Sequence, residues 1–178
     1  MIIGFTGQPG AGKSTAAEIL YLQNLHLQFR FISFAEPVYD ILPKVFIPGF
    51  FIGDVSSCTH EYRDQVKKSL PDKYGNTPRE LLRAIGEFGR REIHADVWVD
   101  IAMAKIKPSG NYIFDDVRFP NEAHAILDCG GKIYEIVKPG LKPSGHFSDN
   151  SLSGYDFPKI TATNYAELQK EIKLIILF

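Results

Sequence analysis

The stretch Gly7-Gln8-Pro9-Gly10-Ala11-Gly12-Lys13-Ser14 constrains this chain more than any other, because it satisfies every position of the pattern G-x-x-x-x-G-K-[ST]. Glycines let a backbone turn tightly and approach a ligand, so that successive N–H groups point inward at an anion. A helix starting near Lys13 adds its own N–H groups and the positive end of its dipole. Lys13 is then expected to reach the β- and γ-phosphates of a nucleoside triphosphate, and the Ser14 hydroxyl to hold Mg²⁺. Gly7, Gln8, Pro9, Gly10, Ala11, Gly12 and Thr15 are expected to line the same phosphates. The flanks suit this reading. Met1–Phe5 is an apolar run fit for a buried parallel strand, and Ser14–Asn24 carries Ala16, Ala17, Ile19, Leu20 and Leu22 at helical spacing.

With 178 residues, a single domain carrying a small insertion is expected. The 20 basic and 21 acidic residues balance to −1, which argues against bulk nucleic-acid binding and leaves room only for a local basic cleft. Two cysteines, Cys58 and Cys129, imply no disulfide framework and suit a reducing cytoplasm. A start directly on a strand predicts no signal peptide. No apolar run approaches the roughly 18 residues of a membrane helix, so no membrane partner is expected. The short apolar tail Ile172–Phe178 reads as the end of a docked helix.

Taken in order, Phe29–Phe34 is a second strand, ended by Ala35-Glu36-Pro37. Residues 38–46 suit one helix interrupted at Pro43. The aromatics of 48–54 are expected to be buried under neighbouring helices. A polar helix is expected over 58–69. Thr77-Pro78-Arg79-Glu80 opens the next helix with an N-cap, a first-position proline and a capping-box glutamate. Its apolar stripe runs through Leu81, Leu82, Ile85 and Phe88, with Arg79, Arg83 and Arg90 on another face. A further helix is expected from 95 or 96 to 106. Residues 37–107 thus form a mostly helical insertion. Asn111–Asp116 returns to strand character, Pro120 starts a helix that Gly130-Gly131 stops, and 132–138 is the next strand. The loop 139–155, rich in Gly, Pro, Ser and Asp, is long enough to be a mobile, lid-like element. Residues 157–161 form a last strand, and Asn164 caps a final helix.

Strands alternating with helices behind a phosphate loop predict an α/β fold, a five-stranded parallel sheet with helices on both faces. Ligands of such sheets bind outside the carboxyl ends of the strands. That rule gathers Gly7–Ser14, Ser33–Glu36, Asp115–Arg118 and the loop 139–155 around one crevice. A strand-end carboxylate there can hold a metal-bound water. Neighbouring strand residues face opposite ways, so one of the two aspartates is expected to point inward, Asp116 ahead of Asp115. Arg118 is placed to clamp a transferring phosphoryl group. Arg79 and Arg83 are candidates for the phosphate of an acceptor, since guanidinium forks suit a monophosphate. A solvated face paired with Glu80 and Glu87 stays equally open for them. Glu36 falls at the crevice, and Trp98 is a candidate to stack on a base, although core packing is the stronger expectation. The histidines, His60, His94, His124 and His146 among them, show no metal-ligand spacing.

Several segments together resemble bacteriophage-type deoxynucleoside monophosphate kinases. They are Thr77-Pro78-Arg79-Glu80-Leu81-Leu82-Arg83-Ala84-Ile85-Gly86 with Trp98-Val99, then Asp116-Val117-Arg118-Phe119-Pro120-Asn121-Glu122-Ala123, Gly130-Gly131-Lys132, Val137-Lys138-Pro139-Gly140 and His146-Phe147-Ser148-Asp149. With the phosphate loop they span most of the chain in the family's order. The resemblance implies a fold similar to adenylate kinase and transfer of the ATP γ-phosphate, with Mg²⁺, to a deoxynucleoside monophosphate by a monomer or homodimer. It also implies that residues 37–107 bind the acceptor and that Lys138 and His146 flank the nucleotide. The chain departs from the family pattern in reading Gly-Lys-Ser-Thr where Gly-Lys-Asp-Thr is common, in Asp149 where glutamate is usual, and in Arg83 where glutamine is frequent. The third difference lies in the acceptor helix and bears on base choice. Two other readings compete: a kinase of another small acceptor such as dephospho-coenzyme A, and a nucleotide-driven switch or motor. A non-catalytic nucleotide scaffold is disfavoured, because Lys13, Ser14 and a strand-end carboxylate are all present.

Overall fold

The computed structural model describes residues 1–45, 75–141 and 151–175. The expected helix over 58–69, the aromatics of 48–54, Cys58, His60, His146, Asp149 and most of the loop 139–155 lie outside them. The chain divides into two units, one formed by Met1–Ser33 with Ile106–Phe178 and the other by Phe34–Lys105.

The first unit is built on a five-stranded sheet in the order β2-β3-β1-β4-β5, with every pair parallel. Its strands are β1 Ile2–Thr6, β2 Arg30–Ile32, β3 Tyr112–Phe114, β4 Lys132–Val137 and β5 Lys159–Thr161. All five residues of β1 are buried, because it is the middle strand and is covered on both faces. That explains why its sequence is an unbroken apolar run rather than an alternating one. On one face, α1 (Lys13–Gln23) and α6 (Tyr165–Leu174) cover the sheet. Ala16, Ala17, Leu20, Leu168 and Ile172 pack there with Ile3, Phe5, Ile113, Ile136 and Ile160. Each fully buried Ile, Leu or Phe contributes about 1.5–3 kcal/mol relative to exposure, so this layer fixes the strand order and register. Helix α5 (Pro120–Asp128) buries Ala123 and Ile126. The docked C-terminal helix read from the apolar tail is α6, capped by Asn164 accepting from the Glu167 N–H at 3.0 Å.

The second unit is helical in its described part. It contains α2 (Glu36–Val45), α3 (Pro78–Phe88), a π-turn over Gly89–Ile93 and α4 (Val97–Met103). Helix α2 begins at Glu36, earlier than the sequence reading, and takes Pro37 into its first turn, where a missing N–H costs no hydrogen bond. It runs on through Pro43 to Val45. The capping box of α3 forms as read. Thr77 Oγ1 accepts from the Glu80 N–H at 3.3 Å, and Glu80 Oε2 accepts from the Thr77 N–H at 2.7 Å. The π-turn was not legible. It inserts an extra residue per turn after Phe88, so Arg90 leaves the face it would share with Arg79 and Arg83 in a continuous α-helix. Its guanidinium instead donates to the Gly86 carbonyl at 3.3 Å.

Candidate phosphate-binding site

The loop after β1 has the backbone that its glycines allow. Gly7, Gly10 and Gly12 take φ of 132°, 81° and 102°. At Gly7 the choice is also steric, because a Cβ there would fall on the carbonyl oxygen of Ile136 in β4. The Ala11 N–H closes the turn on the Gln8 carbonyl at 3.1 Å. Lys13 folds back along the loop, its Nζ donating to the Gly7 and Gln8 carbonyls at 2.8 and 3.1 Å. Ser14 and Thr15 follow in the first turn of α1, both half-buried, while Pro9 and Gly10 are exposed.

Helix α1 differs from the other described α-helices in how its start is finished. Helices α2 to α6 each carry an acid in the first turn, respectively Glu36, Glu80, Asp100, Glu122 and Glu167. Helix α1 has no acid there and no side-chain cap on its N-cap residue Gly12. The positive end of its dipole therefore has no anion from its own first turn, and an anion near it is stabilised.

Two neighbouring strands deliver the carboxylate. Ile32 of β2 pairs with Phe114 of β3, so the residues just beyond, Ser33 and Asp115-Asp116, leave the sheet side by side. Ser33 Oγ donates to Asp116 Oδ2 at 2.6 Å, a short charge-assisted hydrogen bond. The Val117 N–H then bonds to the Phe5 carbonyl at 3.3 Å, which keeps this segment alongside the end of β1. Asp115 and Asp116 are both half-buried, and Arg118 is exposed. Among the described residues no group of three or more His, Cys, Asp or Glu side chains forms a metal cage. Mg²⁺ does not need one, since it is usually held by one or two protein oxygens plus substrate phosphates and water. The Ser14 hydroxyl and the Asp116 carboxylate fit that donor set.

The remaining site candidates, Lys138 apart, belong to the second unit. Arg79 is half-buried and Arg83 is exposed in α3. Glu36 forms an ion pair with Lys105, Nζ to Oε2 2.8 Å. Trp98 is 5% exposed, and its indole N–H donates to the Gly86 carbonyl at 2.9 Å. That is the core packing which the sequence favoured over stacking on a base. Lys138 is exposed at the end of β4.

Three participants escaped the sequence reading. Ser33 was placed only by its neighbourhood, because its partner is 83 residues away. Glu122 was read only as part of a helix start, although its position three residues after Phe119 is a capping-box signal. It is 2% exposed, and its Oε2 accepts from the Arg118 and Phe119 N–H groups at 2.7 and 3.0 Å. Ser151 returns from the loop 139–155 and donates from Oγ to the Arg118 carbonyl.

Sheet order, phosphate loop and strand-end carboxylate together define an α/β protein with the fold of the P-loop kinases. Dephospho-CoA kinase from Campylobacter jejuni superposes with a TM-score of 0.51 at 20% identity, covering 99% of this chain and 95% of that one. No family model matches the chain. A curated protein of Acanthamoeba polyphaga mimivirus, named "Putative deoxynucleotide monophosphate kinase", is 28% identical over 193 residues, spanning 97% of this chain and 94% of that protein. The resemblance read from the sequence motifs is thus matched along nearly the whole chain. No helix among the described residues is long and apolar enough to cross a membrane.

Proposed function

We propose that this chain is an ATP-dependent kinase that phosphorylates a deoxynucleoside monophosphate to the diphosphate. The observation that carries the reading is the start of α1, unopposed by any acid of its own first turn, with Lys13 held along the loop in front of it. The near-full-length likeness to the mimivirus protein supports the acceptor class.

In this reading Gly7–Thr15 wraps the phosphates of ATP with backbone N–H groups. Ser14 and Asp116 would hold Mg²⁺, which would supply positive charge to neutralise the phosphates. A phosphate oxygen of the acceptor attacks the γ-phosphorus. The bond from that phosphorus to the β–γ bridging oxygen breaks, and ADP leaves. Lys13 and Arg118 stabilise the negative charge spread over the transferring group. The acceptor's phosphate is already anionic, so no strong protein base is required. Arg79 and Arg83 bind that acceptor phosphate as guanidinium forks. Residues 37–107 supply the acceptor side.

The test is ADP release from ATP–Mg²⁺ with each common nucleoside and deoxynucleoside monophosphate, with dephospho-CoA as a further acceptor. Turnover with one or more deoxynucleotides, lost in Lys13→Ala, is the expected result. Turnover with dephospho-CoA alone would reassign the acceptor. ATP hydrolysis indifferent to every acceptor would replace the kinase with a nucleotide-driven switch.

A further inference from the structure

Among the described residues three glutamates at the third helical position accept from backbone N–H groups at or just before the N-cap, and one of them differs from the other two. Glu80 and Glu167 are exposed and accept from the N–H groups of Thr77 and Thr163 at 2.7 and 2.8 Å. Glu122 is buried and takes two N–H groups, that of its N-cap residue Phe119 and, one residue further back, that of Arg118. Removing a carboxylate from water costs several kcal/mol unless hydrogen bonds repay it. An exposed cap would close the helix without that cost, as α3 and α6 do. Glu122 makes both kinds of bond with one carboxylate away from water, where each is stronger, and one of them holds the peptide of Arg118.

The other side of the same residue is held as well. Ser151 Oγ donates to the Arg118 carbonyl. The segment that brings Ser151 is itself docked on α5, because Tyr155 Oη and His124 Nε2 lie 2.9 Å apart and Tyr155 stacks on Phe157 with ring centroids 5.4 Å apart. Both backbone polar groups of Arg118 are therefore taken by side chains from elsewhere, while its own side chain is exposed.

We propose that Glu122 and Ser151 are positioning residues that clamp the Arg118 peptide from its N–H and C=O sides. The clamp sets where the guanidinium meets the transferring phosphoryl group. This rests on the role given to Arg118 above. Catalysis of phosphoryl transfer is mostly positioning and charge stabilisation, and a misplacement of about 1 Å can cost on the order of a hundredfold in rate.

The experiment uses Glu122→Gln, Ser151→Ala and Ser151→Thr, each alone and on an Arg118→Ala background, read by kcat and by KM for ATP. Amide hydrogen exchange at Arg118 and Phe119 is read in the same variants without nucleotide. Glu122→Gln keeps the shape but replaces the charged oxygen that takes both N–H groups by a neutral amide oxygen, a weaker acceptor, and Ser151→Thr keeps the hydroxyl. The expected result is a kcat loss of roughly tenfold for Glu122→Gln and for Ser151→Ala with KM for ATP unchanged, restored by Ser151→Thr. Neither substitution lowers kcat further once Arg118 is alanine. Exchange speeds up at the Arg118 and Phe119 amides in Glu122→Gln and not across the sheet.

Losses that simply multiply with that of Arg118→Ala would overturn the clamp and leave the kinase standing. If Arg118→Ala alone costs nothing while Lys13→Ala abolishes turnover, the role of Arg118 falls and the proposal with it. If no acceptor supports turnover, the functional reading has failed and exchange decides. Two slow amides released by Glu122→Gln uphold the clamp as a structural device, and amides indifferent to it refute it.

Discussion

Replacing Gly7 by alanine tests the geometry of the phosphate loop through folding alone. The residue sits at φ +132°, a sparsely populated conformation for a side chain, which costs about 1–3 kcal/mol. The new Cβ would also fall on the Ile136 carbonyl oxygen and lie 3.3 Å from the carbon and nitrogen of that residue. These are backbone atoms of β4, whose register is tied to β1 through Phe5↔Tyr134 and Thr6↔Glu135, so they cannot swing aside as a side chain would. Overpacking of this kind costs about 1–3 kcal/mol more. The sum, about 2–6 kcal/mol, is a large share of the 5–15 kcal/mol by which domains are stable, at roughly 2–4 °C of melting temperature per kcal/mol for a chain of this size. Gly10→Ala is the matched comparison. It has φ +81°, but its Cβ would meet only Leu141 Cδ1 at 3.8 Å, so it bears conformational strain without the clash. Thermal unfolding followed by far-UV circular dichroism should therefore place Gly7→Ala several degrees below Gly10→Ala. It should also bind ATP more weakly, because the Gly7 carbonyl that receives Lys13 must move. A Gly7→Ala protein that melts no lower than Gly10→Ala would refute the argument.

Ser33→Ala removes the 2.6 Å hydrogen bond that orients Asp116. If Asp116 is a metal ligand, the Mg²⁺ concentration for half-maximal turnover should rise on the order of 10–100-fold, as for partners of metal ligands generally, and an unchanged Mg²⁺ requirement would count against that role. In the second unit, a Cβ on Gly89 would lie 2.7 Å from Cε2 of the buried Trp98 ring, so Gly89→Ala should destabilise by about 1–3 kcal/mol in urea titration. Trp98→Phe, which removes the indole donor to the Gly86 carbonyl but leaves that of Arg90, should cost about 0.5–1.5 kcal/mol while KM for ATP stays unchanged; a large rise in the acceptor's KM alone would favour Trp98 in the acceptor site. The Thr77 and Thr163 backbone N–H groups, followed by their hydroxyls, hold Glu80 and Glu167 below the ordinary carboxylate pKa of 4.5. Their contribution to stability is present above that value and lost as pH falls through the lowered ones. Urea midpoints should fall on acidification below about pH 4.5, and less steeply in the Glu80→Gln/Glu167→Gln double variant.

Most of the sheet was legible because it is written locally. An all-buried central strand has to be a continuous apolar run, and Ile2–Thr6 is one. A phosphate loop has to have a strand before it and a helix after it, and both follow from spacing. The caps at Thr77 and Asn164 lie within four residues of the groups they satisfy. What stayed hidden was non-local or packing-driven. The bond from Ser33 to Asp116 spans two strands that become neighbours only when β3 inserts between β1 and β2. The π-turn at Gly89 has no periodic signature. It is stabilised by Trp98, whose ring lies against a residue that has no side chain to resist it. Ser151 is anonymous in a polar loop until the fold brings it to Arg118.

The distribution of acids around the helices explains how a chain of net charge −1 can favour a polyanion. The net charge itself gives no attraction for one, because the charges balance over the whole molecule. The attraction comes from short-range groups at the start of α1, whose own first turn supplies no acid. Five of the six described α-helices spend a carboxylate on their own first turn, and the sixth, α1, does not. Its N-cap is a glycine, which has no side chain to offer, and its first residue is a lysine turned back along the loop. The acids nearest in topology, Asp115 and Asp116, end the adjacent strand β3, and Asp116 is held there by Ser33. A cation between such a carboxylate and a bound anion would relieve their mutual repulsion. The loop and the strand end therefore make electrostatic sense together as a site for a phosphate with its metal, and less sense for a phosphate alone.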